Sequence, residues 1–232
     1  MPRDVGVVVV AAGQGSRLGG SVPKQFREIA GVPLVLRALR PFLDHPEVAQ
    51  VVLALPSDQV TAPPSWLAAM LGSKLTMVAG GAERRDSVAA GLVALRPECR
   101  FVLVHDGARP FVERTTIDAV LAKAREGWGA VPAVPLSDTL KETGSDGDPI
   151  RVNRTLPRER LWRAQTPQGF PRAMLERAYT ASTGDGLRAT DDAMLVERLG
   201  ERVCVVPDSV RNFKVTTPED LAFAELMASR PT

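Results

Sequence analysis

Short apolar runs alternate with longer amphipathic stretches along most of the chain. The runs are Val5–Val10, Val51–Leu55, Leu75–Val78, Phe101–Val104, Ala130–Val134 and Val203–Val206. Runs of this kind are typical of strands buried on both faces. The stretches between them predict helices at Leu34–Phe42, Trp66–Leu71, Asp86–Leu95, Thr116–Glu126, Ala173–Tyr179, Asp191–Leu199 and Glu219–Met227. The alternation predicts an α/β fold, with a Rossmann-like, mainly parallel sheet and helices on both faces.

The last two predicted helices carry start signals. Thr217 is the expected N-cap of the last helix, with Pro218 at its first position and acidic residues in its first turn. Thr190 is the expected N-cap of the helix before it.

One polar segment interrupts the alternation. Between Ser137 and Asn153 the chain reads Thr-Gly-Ser-Asp-Gly-Asp-Pro, a cluster of turn formers flanked by two strand-like pieces. This pattern predicts a β-hairpin arm, at about residues 137–155, that protrudes from the core.

Composition restricts the class of protein. A chain of 232 residues holds one α/β domain or two small ones, and we expect a single domain over residues 1–232. The net charge of +2 gives no reason to expect a nucleic-acid or membrane partner. The chain begins without a signal peptide, and Cys99 and Cys204 form neither a disulfide framework nor a zinc motif. We therefore expect a cytoplasmic protein.

A glycine-rich loop follows the first apolar run. Gly13 and Gly15 allow the backbone to approach a ligand closely, and loop N–H groups can then bind phosphate oxygens. Arg17 and Lys24 add positive charge a few residues later. A plain strand-to-helix loop would explain the glycines alone, but the two cations favour a nucleoside triphosphate.

Two common nucleotide loops do not fit this segment. A P-loop needs a lysine directly after its last glycine, and none stands at that spacing. The dinucleotide fingerprint needs a third glycine where Leu18 stands, and no strand separates the loop from its nearest acid, Glu28. The remaining pattern, Ala-Ala-Gly-x-Gly-x-Arg-Leu followed by Pro-Lys-Gln, resembles the signature loop of nucleotidyltransferases.

Other candidate residues stand at strand ends, where ligands of open α/β sheets bind. Asp106 follows the Phe101–Val104 run, and a carboxylate beside a triphosphate suits Mg²⁺, although an Asp-Gly turn without a ligand remains the alternative. Arg109 could bind a second phosphate. We expect His105 to be a structural or hydrogen-bonding residue, because phosphoryl-type transfer requires mainly positioning and charge from the protein.

Two weaker candidates remain. Gly80 and Gly81 precede a helix that carries Ser87, and together they could form a flat slot for a base, although paired glycines before a helix are common. Lys214 lies just before the last helix, where a surface role is the ordinary interpretation.

Taken together, eight motifs resemble those of the 2-C-methyl-D-erythritol 4-phosphate cytidylyltransferase family. They are Ala11-Ala12-Gly13-x-Gly15-x-Arg17, Pro23-Lys24-Gln25, Gly80-Gly81-x-x-Arg84-x-Asp86-Ser87-Val88, Val104-His105-Asp106-x-Ala108-Arg109-Pro110, Asp138-Thr139-Leu140-Lys141, Leu161-Trp162-x-x-Gln165-Thr166-Pro167-Gln168, Thr190-Asp191-Asp192 and Asn212-x-Lys214-x-Thr216-x-Pro218. Each motif alone is weak, but eight in order, from Val7 to about Leu221, are specific.

The resemblance implies a role for each matched residue. Arg17 and Lys24 would stabilise the transition state, and Asp106 would hold Mg²⁺. Contacts with CTP are implied for Ala11, Ala12, Gly13, Gly15, Lys24, Gly80, Gly81 and Ser87. Contacts with the acceptor phosphate are implied for Arg109, Thr190 and Lys214, and for Thr139 and Arg158 from the arm of a partner subunit. Lys214 and Arg158 would thereby also serve catalysis.

The chain departs from the family pattern at three positions. Ala82 stands where the family often has an acid, and its absence is expected to loosen contacts with the base or the ribose. Gly107 replaces an alanine without expected effect, and Arg211 replaces an acid that commonly precedes Asn212. We have no account of Arg211.

The sequence thus predicts a homodimeric, Mg²⁺-dependent enzyme that transfers CMP from CTP to 2-C-methyl-D-erythritol 4-phosphate. A cytidylyltransferase or other nucleotidyltransferase acting on another polyol or sugar phosphate, such as ribitol 5-phosphate, is the nearer alternative. A non-catalytic nucleotide-binding module is the farther one. The three cations Arg17, Lys24 and Lys214 argue against the module, because binding alone does not require all of them.

Overall fold

The computed structural model describes residues 2–13, 15, 18–19, 22–144, 149–182 and 189–229. Its strands are β1 (Val5–Val10), β2 (Glu28–Ile29), β3 (Val32–Pro33), β4 (Val48–Leu55), β5 (Leu75–Ala79), β6 (Phe101–Asp106), β7 (Gly129–Pro135), β8 (Leu140–Thr143), β9 (Val152–Leu156), β10 (Trp162–Ala164), β11 (Gln168–Pro171) and β12 (Val203–Pro207). Its helices are α1 (Leu34–Leu43), α2 (Ser57–Thr61), α3 (Ser65–Ala68), α4 (Arg84–Ala94), α5 (Arg114–Arg125), α6 (Arg172–Ala181), α7 (Asp192–Arg198) and α8 (Pro218–Ser229). Lys24–Phe26 forms a 3₁₀ turn.

Within the described residues, eight strands form the central sheet, in the order β10-β7-β11-β6-β1-β4-β5, with β12 also paired to β7. β1 is central and runs parallel to β4 and β6, and the pairs β4–β5 and β7–β12 are also parallel. β10 is antiparallel to β7, and β11 is antiparallel to both β6 and β7. The sheet is therefore mixed but mostly parallel, as predicted.

Alternate residues of β1 point to opposite faces of the sheet. Val7 and Val9 belong to a core cluster with residues of α1 and α5, whereas Val8 belongs to a second cluster with residues of α4, α6 and α7. All three valines are fully buried, as expected for a strand covered by helices on both faces. The predicted layering is confirmed.

One of the two predicted helix starts is confirmed and the other is wrong. At the start of α8, Thr217 Oγ1 accepts a hydrogen bond from Asp220 N at 3.2 Å, and Asp220 Oδ2 accepts one from Thr217 N at 2.9 Å. At the start of α7 the N-cap is Asp191, not Thr190, because the Asp191 carboxylate accepts the hydrogen bond from Met194 N at 3.0 Å. Both residue types cap helices, so the one-residue difference was not visible in the sequence.

The predicted arm is a β-hairpin outside the main sheet. β8 pairs with β9 in the antiparallel direction as a separate two-stranded sheet, and the tip, residues 145–148, lies outside the described residues. Leu140, Ile150 and Val152 are exposed on this hairpin, with 38%, 74% and 56% of their surfaces accessible. Across the described part of the chain, no helix combines the length and apolar character needed to cross a membrane.

Candidate active site

A cavity of about 240 Å³ opens where the chain leaves the carboxyl ends of β1 and β6. It is bounded by the glycine-rich loop after β1, the 3₁₀ turn, the segment before α4 and the end of β6. Of the predicted site residues, it brings together Ala11, Ala12, Gly13, Gly15, Lys24, Gly81, Ser87, Asp106 and Lys214. Residues from distant parts of the chain thus converge on one pocket, in the position expected for an open α/β sheet.

The wall between β5 and α4 has no room for a side chain at Gly80 or Gly81. A Cβ on Gly80 would lie 2.4 Å from Ala12 Cβ, and one on Gly81 would lie 2.2 Å from Asp86 Cβ. Ser87 is buried, and its hydroxyl accepts a hydrogen bond from Gly81 N at 3.2 Å. Gly80 packs against this wall without lining the cavity. Gly81 and Ser87 present backbone and one hydroxyl to the cavity, as a flat slot for a base requires.

Lys24 also lines the cavity, beside Gly15. Gly15 has a φ of +63°, and a Cβ there would lie 2.5 Å from Lys24 Cβ, so this position requires glycine on both counts. The neighbouring Gln25 is buried, and its amide donates to the side-chain oxygen of Gln59 on α2. The 3₁₀ turn is thereby fixed, and Lys24 is held at the cavity.

Asp106 is surrounded by three cationic side chains. Arg84 Nε lies 3.1 Å from Oδ1, Lys214 Nζ lies 2.8 Å from Oδ2, and Arg109 Nε lies 3.8 Å from Oδ2. Burial alone would raise the pKa of Asp106, but Arg84, Lys214 and Arg109 outweigh it and hold that pKa far below the ordinary value. The carboxylate is therefore charged at neutral pH, as a ligand for a hard cation must be.

Arg109 lies behind Asp106 rather than along the cavity. Its side chain is 11% exposed, and its guanidinium donates to the carbonyl oxygens of Asn212 at 2.6 Å and Ala164 at 3.4 Å. Val215 N also donates to Ala108 O at 2.8 Å. These bonds bring the segment that contains Lys214 to the end of β6. The predicted contact between Arg109 and an acceptor phosphate stays a prediction.

A family model and several relatives match almost the whole chain. The model of the 2-C-methyl-D-erythritol 4-phosphate cytidylyltransferase family matches residues 5–230. Proteins of that name from Xanthomonas campestris pv. campestris (46% identical, covering 96% of this chain and 83% of the relative) and Carboxydothermus hydrogenoformans (40% identical, covering 97% and 96%) are similar to it. The chain belongs to this family.

A solved structure agrees with this assignment. The structure of 2-C-methyl-D-erythritol 4-phosphate cytidylyltransferase from Thermus thermophilus matches with a TM-score of 0.81 at 37% identity, over 98% of this chain and 100% of that one. As a family member the chain is a cytidylyltransferase, which is a nucleotidyltransferase, as the loop after β1 had predicted.

Some predicted site residues do not meet at the cavity of this family member. Thr139 and Arg158 flank the β8–β9 hairpin and are exposed, and the Arg158 guanidinium donates to Ser137 O. Thr190 is exposed just before α7. None of the three lines the cavity, and Arg17 lies outside the described residues.

Gln25 and Arg84 line the cavity, although the sequence predicted no role for either. Gln25 and Arg84 both stand in the motifs quoted above, but motif position alone did not reveal their partners. Arg84 forms ion pairs with both Asp106 and Asp192, the latter at 2.8 Å from its Nη1. The signal in the sequence was an arginine shortly after the paired glycines, at the start of a helix.

His105 is fully buried and supports the backbone of Asp106. Its Nε2 lies 3.1 Å from Arg109 O, which only accepts, so Nε2 carries the proton and Nδ1 accepts from Thr166 Oγ1 at 3.0 Å. Thr166 Oγ1 in turn accepts from Asp106 N at 3.0 Å. Burial lowers the pKa of His105 to about 4, so the ring is neutral and holds the end of β6 in place.

The His105 ring predicts acid sensitivity of the fold. The unfolded chain protonates this histidine near pH 6.5, whereas the folded chain does so only near pH 4, so falling pH favours the unfolded state between these values. We expect His105 to contribute a loss of about 3 kcal/mol of unfolding free energy over that window. Urea unfolding from pH 7 to pH 4 measures it, and His105→Gln should show a shallower dependence. An equal pH dependence in both proteins would contradict the assignment.

Proposed function

We propose that this cavity is the active site at which the chain transfers CMP from CTP to 2-C-methyl-D-erythritol 4-phosphate, releasing pyrophosphate. The product, CDP-methylerythritol, belongs to the non-mevalonate route to isoprenoid precursors. The observation that carries the proposal is the convergence of the glycine-rich loop, Lys24, Asp106 and Lys214 on one pocket in a member of this family. The base would lie against Gly81 and Ser87, and the triphosphate along the loop after β1.

The reaction follows from the charges in the cavity. An oxygen of the acceptor phosphate attacks the α-phosphorus in line, a new P–O bond forms, and the bond to the β-phosphate oxygen breaks. Negative charge grows on the α-phosphoryl oxygens and on the leaving pyrophosphate. Lys24, on the loop side, and Arg17, as the motif implies, supply positive charge there, while Lys214 meets the acceptor phosphate. No general base is needed, because a phosphate oxygen already carries charge.

We propose Mg²⁺ as the cofactor, held by Asp106. Within the described ranges, no cluster of three or more His, Cys, Asp or Glu side chains could hold a metal by itself. A single buried, charged carboxylate at the cavity fits Mg²⁺, which takes one or two protein carboxylates and completes its shell with phosphate oxygens and water. When bound, the ion would neutralise charge on the triphosphate.

Asp106→Asn is expected to lower kcat at least about tenfold and to raise the Mg²⁺ concentration for half-maximal rate several-fold. The amide keeps the shape of the side chain but loses the charge that holds metal. Calorimetric titration of CTP with and without Mg²⁺ should show that the metal-dependent part of binding is lost. Asp4→Asn is the matched control, since Asp4 is a buried carboxylate paired with Arg125, away from the cavity. Unchanged metal dependence in Asp106→Asn would sink this role.

We propose that two chains form a two-fold dimer through the arm. Thr139 and Arg158 lie away from their own cavity, and the hairpin exposes Leu140, Ile150 and Val152, so a partner chain would cover these side chains. Each site would then combine one chain's cavity with the other chain's arm. We also propose that the chain forms a single domain and works in the cytoplasm, as the sequence predicts.

A pyrophosphate-release assay tests the function directly. Four nucleoside triphosphates are crossed with 2-C-methyl-D-erythritol 4-phosphate, ribitol 5-phosphate and a sugar 1-phosphate. Of these combinations, we expect turnover only with the pair CTP and 2-C-methyl-D-erythritol 4-phosphate. Faster turnover with another acceptor would support the related nucleotidyltransferase instead, and CTP binding without any turnover would support a non-catalytic module.

A further inference from the structure

Arg84 joins two carboxylates that lie on different sides of the cavity wall. It is the first residue of α4, and its side chain is 27% exposed. Its Nε lies 3.1 Å from Asp106 Oδ1, and its Nη1 lies 2.8 Å from Asp192 Oδ2. A guanidinium can contact two carboxylates at once through separate nitrogens, which the single ammonium of a lysine cannot reproduce in the same geometry.

Asp192 is completely buried and is itself fixed from two directions. Besides the ion pair with Arg84, its Oδ1 accepts a hydrogen bond from the Tyr179 hydroxyl at 2.6 Å. Burial and the charge of Asp192 raise the pKa of Tyr179, so this hydroxyl remains a donor. Asp192 is also the first residue of α7, two positions after Thr190.

Stability alone is a poor explanation for this arrangement. Taking a charged pair out of water costs free energy that the ion pair only partly returns, and apolar replacements of such pairs are often no less stable. A completely buried aspartate that is ion-paired with Arg84, and so is one arginine away from the cavity carboxylate, points to a role in the site.

The two oxygens of Asp106 are held by different groups. Lys214 and Arg109 lie near Oδ2, whereas Arg84 is the cation hydrogen-bonded to Oδ1. Without Arg84 the cations at Oδ2 would be unopposed, and the carboxylate could rotate toward them. Asp192, in turn, determines where the Arg84 guanidinium lies.

We propose that Arg84, held by Asp192, which Tyr179 fixes in turn, is a positioning residue that orients the Asp106 carboxylate and ties it to the start of α7, where Thr190 lies. This inference rests on the proposed function, because Asp106 and Thr190 take their roles from it. Binding of the base does not depend on this connection, since Gly81 and Ser87 form the slot through their own hydrogen bond.

The test compares Asp192→Asn with wild type. Asparagine keeps an oxygen for the Tyr179 hydroxyl but loses the charge that holds Arg84. We expect kcat to fall about tenfold, while the dissociation constant of CTP, measured by calorimetry without Mg²⁺, changes less than about threefold. Tyr179→Phe should give a smaller loss in the same direction. Asp4→Asn is the control for removing a buried, arginine-paired carboxylate, and should lower the melting temperature while leaving kcat unchanged.

A double-mutant cycle separates positioning from a merely structural effect. If Asp192 acts through Arg84, then Asp192→Asn should lower kcat less than about twofold further in an Arg84→Gln background. Arg84→Lys should not restore the wild-type rate. Additive losses in the cycle would overturn the positioning role. So would a folded Asp192→Asn variant whose kcat is within about twofold of wild type. If the wild type still turns over, either result leaves the proposed function intact. An inactive wild type would overturn both.

Discussion

Replacement of Lys24 by alanine is expected to lower kcat by about a hundredfold or more, which corresponds to about 3 kcal/mol of lost transition-state stabilisation. Lys24 lines the cavity beside the glycine-rich loop, and Gly15 packs directly against its side chain. Charge that grows on the α-phosphoryl oxygens during transfer is therefore met by a cation whose position is already set. Steady-state kinetics with both substrates saturating measure the change. Arg17→Ala should behave in the same way, by the family motif.

The distinction between catalysis and binding decides this prediction. A loss confined to the KM for CTP, with kcat preserved, would make Lys24 a ground-state binding residue. Lys123→Ala is a suitable control, because Lys123 forms an exposed ion pair with Glu126 at the end of α5, with 2.8 Å between its Nζ and the carboxylate. That variant should keep the wild-type kcat.

The strands of the main sheet were predictable where burial on both faces requires a continuous apolar run. Val5–Val10 is apolar throughout because helices cover both faces of β1, and β4 and β6 are buried along most of their length in the same way. β11 has no such apolar run. It reads Gln-Gly-Phe-Pro, with Phe170 as its one large apolar side chain, yet it lies between β6 and β7. Its place depends on pairing with strands far away in the chain, which a local pattern does not record.

Part of the candidate site was likewise predictable from the sequence, and part was not. The glycine-rich loop and Asp106 were predictable, because strand ends in α/β sheets converge on one edge. The ion pair between Arg84 and Asp192 was not, because it joins the starts of two helices that are distant in sequence. Likewise, nothing near Arg109 indicated that its guanidinium would bind the carbonyl oxygen of Asn212 instead of facing the cavity.

Mixing two inactive variants is expected to restore activity if the arm completes the partner's site. Lys24→Ala removes a cation from a chain's own cavity, whereas Arg158→Ala removes one from the arm that would reach the other cavity. In a mixed dimer, one site then lacks both residues and the other has both intact. Each variant alone should be nearly inactive, because every site in its homodimer lacks one residue.

The amount of recovered activity can be stated in advance. After equal mixing and full exchange, half of the dimers are mixed and each has one intact site of two, so about one quarter of the wild-type activity should return. A mixture of Lys24→Ala with Asp106→Asn is the matched control, since both changes then affect cavity residues and every site in the mixed dimer stays defective. Native mass spectrometry reports whether mixed dimers form. If they form and the Arg158 mixture gives no more activity than the control mixture, Arg158 does not act across the dimer, and the composite site is wrong.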